Sequence, residues 1–242
     1  MSGRRSRGRD ESDELPALRV LGLSKHYGDV VALAELDLVV PEGEAVVLVG
    51  HNGSGKSTLL SMVGGVLEPT DGQIFVHGEA NDTLRARALR SWIPDNPVLY
   101  DDLSVREHLE YVNRMHGGTG DGPEIDDLIE RLGLAGREDG LPSQFSRGLR
   151  QKTALAVGLC RPFALLMIDE PFVGLDASGR VALLELIEEV RDNGATVIVA
   201  THDPEVIDRF DRGIMLADGE LVHDGDAADL HGLLSADDRN AG

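Results

Sequence analysis

The octapeptide Gly50-His51-Asn52-Gly53-Ser54-Gly55-Lys56-Ser57 constrains this chain more than any other stretch of it. It fits the pattern G-x-x-x-x-G-K-S/T, follows the apolar run Ala45 to Val49, and precedes Leu59, Leu60, Met62 and Val63 at helical spacing. A buried strand that turns through a glycine-rich loop into a helix points successive amide N–H groups at one spot. The helix N-terminus adds its dipole there. Such a loop cradles phosphates, with Lys56 reaching the outer ones and the Ser57 hydroxyl offered to Mg²⁺. A chance match occurs in roughly one chain in a hundred of this length. The loop predicts an α/β core, but many unrelated chemistries share it.

The rest of the chain fills in that core. From Leu18 to Val40 alternating apolar positions, broken at Tyr27-Gly28-Asp29, predict two strands joined by a turn. Asp71-Gly72 and His77-Gly78 bracket another short strand. Helical periodicity over Val105 to Met115 and Ile125 to Leu132, with a glycine-rich break at Gly117 to Gly122, predicts a helical insertion over about 85–160. The core resumes at Leu165 to Asp169, with a helix near Ser178 to Asp192 and a strand at Thr196 to Thr201. Gly213 to His223 reads as a hairpin turning at Asp218-Gly219. Strands alternating with helices predict a mainly parallel sheet. The expected layout is a tail over 1–16, one domain over 17–230, and a second tail over 231–242.

Two of the predicted strands end in chemistry. Leu165 to Ile168 delivers Asp169 and Glu170 to the sheet edge where the phosphates sit. Asp169 is there a candidate Mg²⁺ ligand and Glu170 a candidate general base for an attacking water. Thr196 to Ala200 likewise leads into Thr201-His202-Asp203, which makes His202 a candidate for contacting the γ-phosphate or for orienting Glu170.

With these residues in place, the chain resembles the ATP-binding cassette (ABC) family of transporter ATPases over roughly residues 18–230. That resemblance implies a P-loop ATPase core with a mainly parallel sheet, an N-terminal antiparallel β part and a helical signature subdomain. It implies that ATP contacts Gly50, His51, Asn52, Gly53, Ser54, Gly55, Lys56, Ser57 and Thr58, with the Tyr27 ring stacked on adenine. Gln144-Phe145-Ser146-Arg147-Gly148-Leu149-Arg150-Gln151 is similar to the family signature, L-S-G-G-Q. By that likeness Ser146, Arg147, Gly148 and Leu149 contact the nucleotide of a second cassette, and Asp176 lies on a loop crossing between the two. Arg147 and Leu149 depart from the signature's glycine and glutamine. Asp95 stands where the family has Gln or Glu beside Mg²⁺, and can equally begin a turn before Pro97. The residues Leu99 to Glu107 resemble the part that grips a membrane subunit.

The resemblance further implies Mg-ATP as ligand, a second cassette as partner (a homodimer in the complex), and a separate membrane-spanning permease. It puts the chain on the cytoplasmic face of the cell membrane. The loosened signature and the short stretch after His202 favour export over import. A soluble assembly or scaffold ATPase is the alternative reading, and a regulator without turnover is a third.

Composition narrows the partners. With 43 acidic residues against 23 Lys and Arg, the net charge is −20, and only Lys25, Lys56 and Lys152 are lysines. No basic surface for a nucleic-acid backbone is expected. The acidity fits either salt adaptation, where ions screen self-repulsion, or a GC-rich genome. The single Cys160 excludes an internal disulfide and reads as a core thiol.

Overall fold

The computed structural model describes residues 15–120 and 123–234. Strands β1 (Leu18–Tyr27) and β2 (Val30–Val40) pair antiparallel across a tight turn in which Gly28 takes φ +60°. Strand β3 (Ala45–Val49) enters the glycine-rich loop, and α1 (Lys56–Val63) leaves it. Then come β4 (Asp71–Val76), β5 (Glu79–Ala80), α2 (Leu84–Leu89) and β6 (Arg90–Ile93). A helical stretch follows: α3 (Val105–Met115), α4 (Pro123–Arg131) and α5 (Arg147–Leu159). The chain continues through β7 (Leu165–Asp169), α6 (Ala177–Asp192), β8 (Thr196–Ala200), α7 (Pro204–Ile207), β9 (Arg212–Ala217) and β10 (Glu220–Asp226).

These strands make two sheets. One is antiparallel, in the order β2-β1-β4-β5; the other runs β10-β9-β3-β8-β7-β6 and is parallel except for β10. The three central strands of the larger sheet are apolar at nearly every position because both of its faces are covered. Alternation sorts their side chains. Val47, Val49, Leu166, Ile168, Val197 and Val199 face the core shared with α3 to α6. Their neighbours Val46, Leu48, Leu165, Met167, Ile198 and Ala200 face α1 and the antiparallel sheet. At about 1.5–3 kcal/mol per buried aliphatic side chain, this double-sided burial holds the strand ends in fixed register. Asp169 lies opposite Ala200, and Leu48 opposite the same residue from the other side.

Two boundaries differ from the sequence expectation. The segment expected as a helical insertion over about 85–160 contains β6, a strand of the parallel sheet paired with β7. The helical stretch thus begins only after Pro94. Four residues that include Arg90 and Trp92 carry too little alternation to announce a strand. The C-terminal tail expected from 231 is helical over residues 230–234, with Leu230 buried against Gly213. Residues 1–14 and 235–242, where the remainder of both expected tails falls, lie outside the described residues.

Candidate functional site

The loop between β3 and α1 is shaped by its glycines. Gly50, Gly53 and Gly55 take φ of +147°, +87° and +106°, values that disfavour any side chain. A Cβ on Gly50 would also sit 2.2 Å from the Leu216 carbonyl. Gly55 caps α1 in the left-handed conformation without a side-chain hydrogen bond, so the first amides of the helix stay uncommitted. The β9–β10 turn braces the loop from below: the Gly219 N–H donates to the Ser54 carbonyl, and His51 Nε2 lies 3.3 Å from Asp218 Oδ1.

Lys56 is buried, and its Nζ donates to the carbonyls of Gly50 (2.7 Å) and His51 (3.2 Å). Burial lowers its pKa against the pull of Glu170 and Asp169. The Asp169 carboxyl is pushed up, chiefly by burial and further by Glu170 and Asp95, while Ser57 and Lys56 oppose the rise. Asp169 Oδ1 and Ser54 Oγ are buried with no hydrogen-bond partner among the described residues. A buried carboxylate oxygen left free beside the Ser57 hydroxyl is a fitting ligand for Mg²⁺, which needs only one or two protein groups besides phosphate and water. Among the described residues no set of three or more His, Cys, Asp or Glu forms a protein-only metal cage. The donor set therefore suits a metal carried in with a phosphate ligand.

Glu170 occupies φ +47°, an uncommon conformation for a residue with a side chain. Its N–H donates to the Ala200 carbonyl, and its Oε2 lies 2.9 Å from His202 Nδ1. The two strand ends thus bring the predicted base and the predicted histidine together. Asp95 joins Glu170 and residues 52–58 around one cleft, which Val30, Val31 and Ala32 of β2 complete. Sequence reasoning does not single out these three residues; the only signal is their place just past the Tyr27-Gly28 turn. Tyr27 itself is half exposed at the end of β1, with Lys25 Nζ 5.0 Å from its ring centre.

The signature-like residues sit elsewhere. Ser146 caps α5 and its Oγ accepts from the Leu149 N–H at 3.3 Å. Leu149 packs its side chain against the core. Arg147 reaches across to Asp95, with Nη2 to Oδ1 at 3.1 Å. A Cβ on Gly148 would meet the Gly174 carbonyl at 2.4 Å, so the start of α5 lies directly on the loop before Asp176. Asp176 caps α6 and pairs with Lys152 of α5 at 2.7 Å, and that hydrogen bond, with Ser178 and the Gly179 N–H, draws its carboxyl down to about 2. Cys160 is buried, and burial pushes its thiol up to about 12, the setting of a core thiol.

A sequence profile of the ABC transporter family matches residues 33–173. An ABC transporter ATP-binding protein of Halobacterium salinarum is 35% identical over 225 residues, covering 90% of this chain and 96% of that one. The SkfA peptide export ATP-binding protein SkfE of Bacillus subtilis is 32% identical, covering 86% and 88%. The thiamine import ATP-binding protein ThiQ of a Chelativorans species is 38% identical, covering 78% and 79%. Other relatives are longer, and the chain spans 44% and 34% of the length of two of them. Among solved structures, a dimeric bacterial ABC transporter cassette superposes with a TM-score of 0.79 at 25% identity, covering 87% of this chain and 98% of that one.

Proposed function

Since this chain belongs to the ABC transporter family of ATP-binding proteins, we propose that it binds Mg-ATP on the loop 50–58 and hydrolyses it to drive a separate membrane-spanning permease. The observation that carries the reading is the meeting of Lys56, Ser57, Asp169, Glu170 and His202 at one sheet edge, with Glu170 and His202 2.9 Å apart.

Each residue has a role in this reading. Uncommitted amides of the loop and of α1 hold the phosphate oxygens, and the Lys56 ammonium exchanges its carbonyl partners for the β- and γ-phosphates. Ser57 and Asp169 would hold Mg²⁺, which would supply charge neutralisation to the phosphates. Glu170 takes the proton of the water that attacks the γ-phosphorus as the bond to the β-phosphate oxygen breaks. Where Glu170 serves as a carboxylate base, the 2.9 Å contact places the proton on His202 Nδ1, which fixes the carboxylate. Asp95 lines the same cleft and serves as a further oxygen ligand near the metal.

Ser146, Arg147 and the Gly148 N–H serve the nucleotide of a second copy, and Asp176 lies on the loop that meets that copy. The similar bacterial cassette of known structure is itself dimeric, which supports this pairing. An apolar groove lined by Val66, Trp92, Pro97, Val98, Leu99 and Val157, with Val98 almost fully exposed, suits a permease helix docking beside the helical stretch. Among the described residues no helix is long and apolar enough to cross a membrane. The proposed permease would place the chain at the membrane's cytoplasmic face. The inferred direction is export, on the loosened signature Phe145-Ser146-Arg147-Gly148-Leu149.

Steady-state ATPase assays with the wild type and Lys56→Ala test the chemistry. The substitution is expected to remove turnover and weaken ATP binding; wild-type rates in the variant would overturn the phosphate-loop assignment. Purification from native membranes tests the coupling, with a polytopic membrane protein expected to accompany the chain. Its absence, alongside intact ATPase activity, would favour a soluble assembly ATPase.

A further inference from the structure

Glu170 and His202 sit on two different loops, and one side chain from a third element touches both. Arg180, in the first turn of α6, donates from Nη2 to Asp203 Oδ2, and Asp203 directly follows His202. The same guanidinium lies 5.3 Å from the ring centre of Phe172, a buried residue two positions after Glu170. Asp203 is held from other sides as well. Its Oδ1 accepts from the Glu205 N–H at 3.0 Å, and its own N–H donates to Thr201 Oγ1 at 3.1 Å. Arg180 and the Glu205 N–H outweigh burial and keep the Asp203 carboxyl ionised below its ordinary range.

We propose that Arg180 is a positioning residue for hydrolysis, bracing the two loops so that the His202 imidazole and the Glu170 carboxylate stay in contact. The proposal rests on the hydrolytic reading above. Glu170 needs such a brace because its φ of +47° persists only where the surroundings over-determine it. The planar guanidinium suits the task, since it bonds a carboxylate at its edge while its face lies on an aromatic ring. Asp176, one helical turn before Arg180, is bonded to Lys152 of the signature helix. The start of α6 therefore joins the hydrolytic pair to the element that would meet a second copy.

The test uses the full chain with Arg180→Gln, and with Asp203→Ala, which removes the same bond from the other side if the first variant folds poorly. Turnover is expected to fall about tenfold while KM for ATP changes less than about twofold, because the phosphate loop is untouched. In a His202→Ala background the Arg180→Gln loss should shrink below about twofold, as expected for groups that act as a unit. Imidazole resonances of His202, identified by their disappearance in His202→Ala, give a readout independent of turnover. In Arg180→Gln they should move toward their position in Glu170→Gln. Unmoved resonances in both brace variants, or equal losses with and without His202, would overturn the proposal. Moved resonances in a chain whose wild type hydrolyses no ATP would support the brace and sink the hydrolytic reading instead.

Discussion

Gly50 to Ser57 and Ser146 to Leu149 both lead into helices, yet they are finished to different degrees. In the first, Gly55 caps α1 without spending a side chain, the first amides of the helix stay uncommitted, and Lys56 is buried within the loop. The loop hangs from a strand buried on both faces and rests on the β9–β10 turn. In the second, Ser146 already takes the Leu149 N–H, and the exposed Arg147 leans away to Asp95. In the proposed reading one is a phosphate cradle complete within a single chain. The other then offers only part of a cradle, at the surface, and would serve a ligand only when something else brings it there.

Glu170→Gln probes this contrast most strongly. Removing the base should lower turnover by a factor of about 10² to 10⁴ while ATP still binds. The ATP-held pair should then accumulate, so light scattering should report a dimer with Mg-ATP and a monomer without it. Two subunits of net charge −20 repel, and the Debye length falls from about 10 Å at 0.1 M salt to about 3 Å at 1 M, so the dimer should be better populated at high salt. A strictly monomeric variant at both salts, alone and reconstituted with the proposed permease, would leave the second helix start without a role.

Asp169→Asn separates stability from function inside the first region. Turnover should fall at least about a hundredfold if Asp169 is the metal ligand proposed above. Burial raises the Asp169 pKa in the fold, so ionisation favours the unfolded chain: the penalty is present above the folded pKa and relieved as pH falls. The nucleotide-free variant should therefore melt no lower than the wild type at pH 8, and higher if the penalty is large, at about 2–4 °C per kcal/mol for a chain this size. A lower melting temperature would mean that Asp169 supports the empty fold.

Asp95 lies between the two regions. Asp95→Ala should reduce turnover severalfold, whereas Asp95→Gln keeps an oxygen near the metal and should retain most of it. Both variants break the ion pair with Arg147, so equal losses would show that the pair, not the oxygen, matters. Kinetics in parallel on the two variants decides this.

The smallest effect concerns the surface common to both regions. If the excess of 43 acidic over 23 basic residues is a salt adaptation, the melting temperature should rise by a few degrees between dilute buffer and molar KCl. A melt indifferent to salt would leave base composition of the genome as the explanation.

The limits of sequence reading show at particular residues. Ala45 to Val49, Leu165 to Asp169 and the Asp218-Gly219 turn are legible because a doubly buried strand is a continuous apolar run and a hairpin needs a left-handed turn, both local demands. β6 escapes detection because Arg90 and Trp92 break its pattern, and only pairing with β7 makes it a strand. The bond of Arg147 to Asp95, 52 positions apart, leaves no mark along the chain.

By itself the sequence determined the glycine-rich loop, and the two acids and the histidine that follow buried strands, since each is written in neighbouring residues that must satisfy one turn or one strand. Only the tertiary structure decided that Glu170 meets His202, that Arg180 reaches both Asp203 and Phe172, and that Arg147 turns to Asp95. Those contacts depend on how separate elements pack and on which polar atoms packing leaves in need of a partner, and no local pattern carries that information.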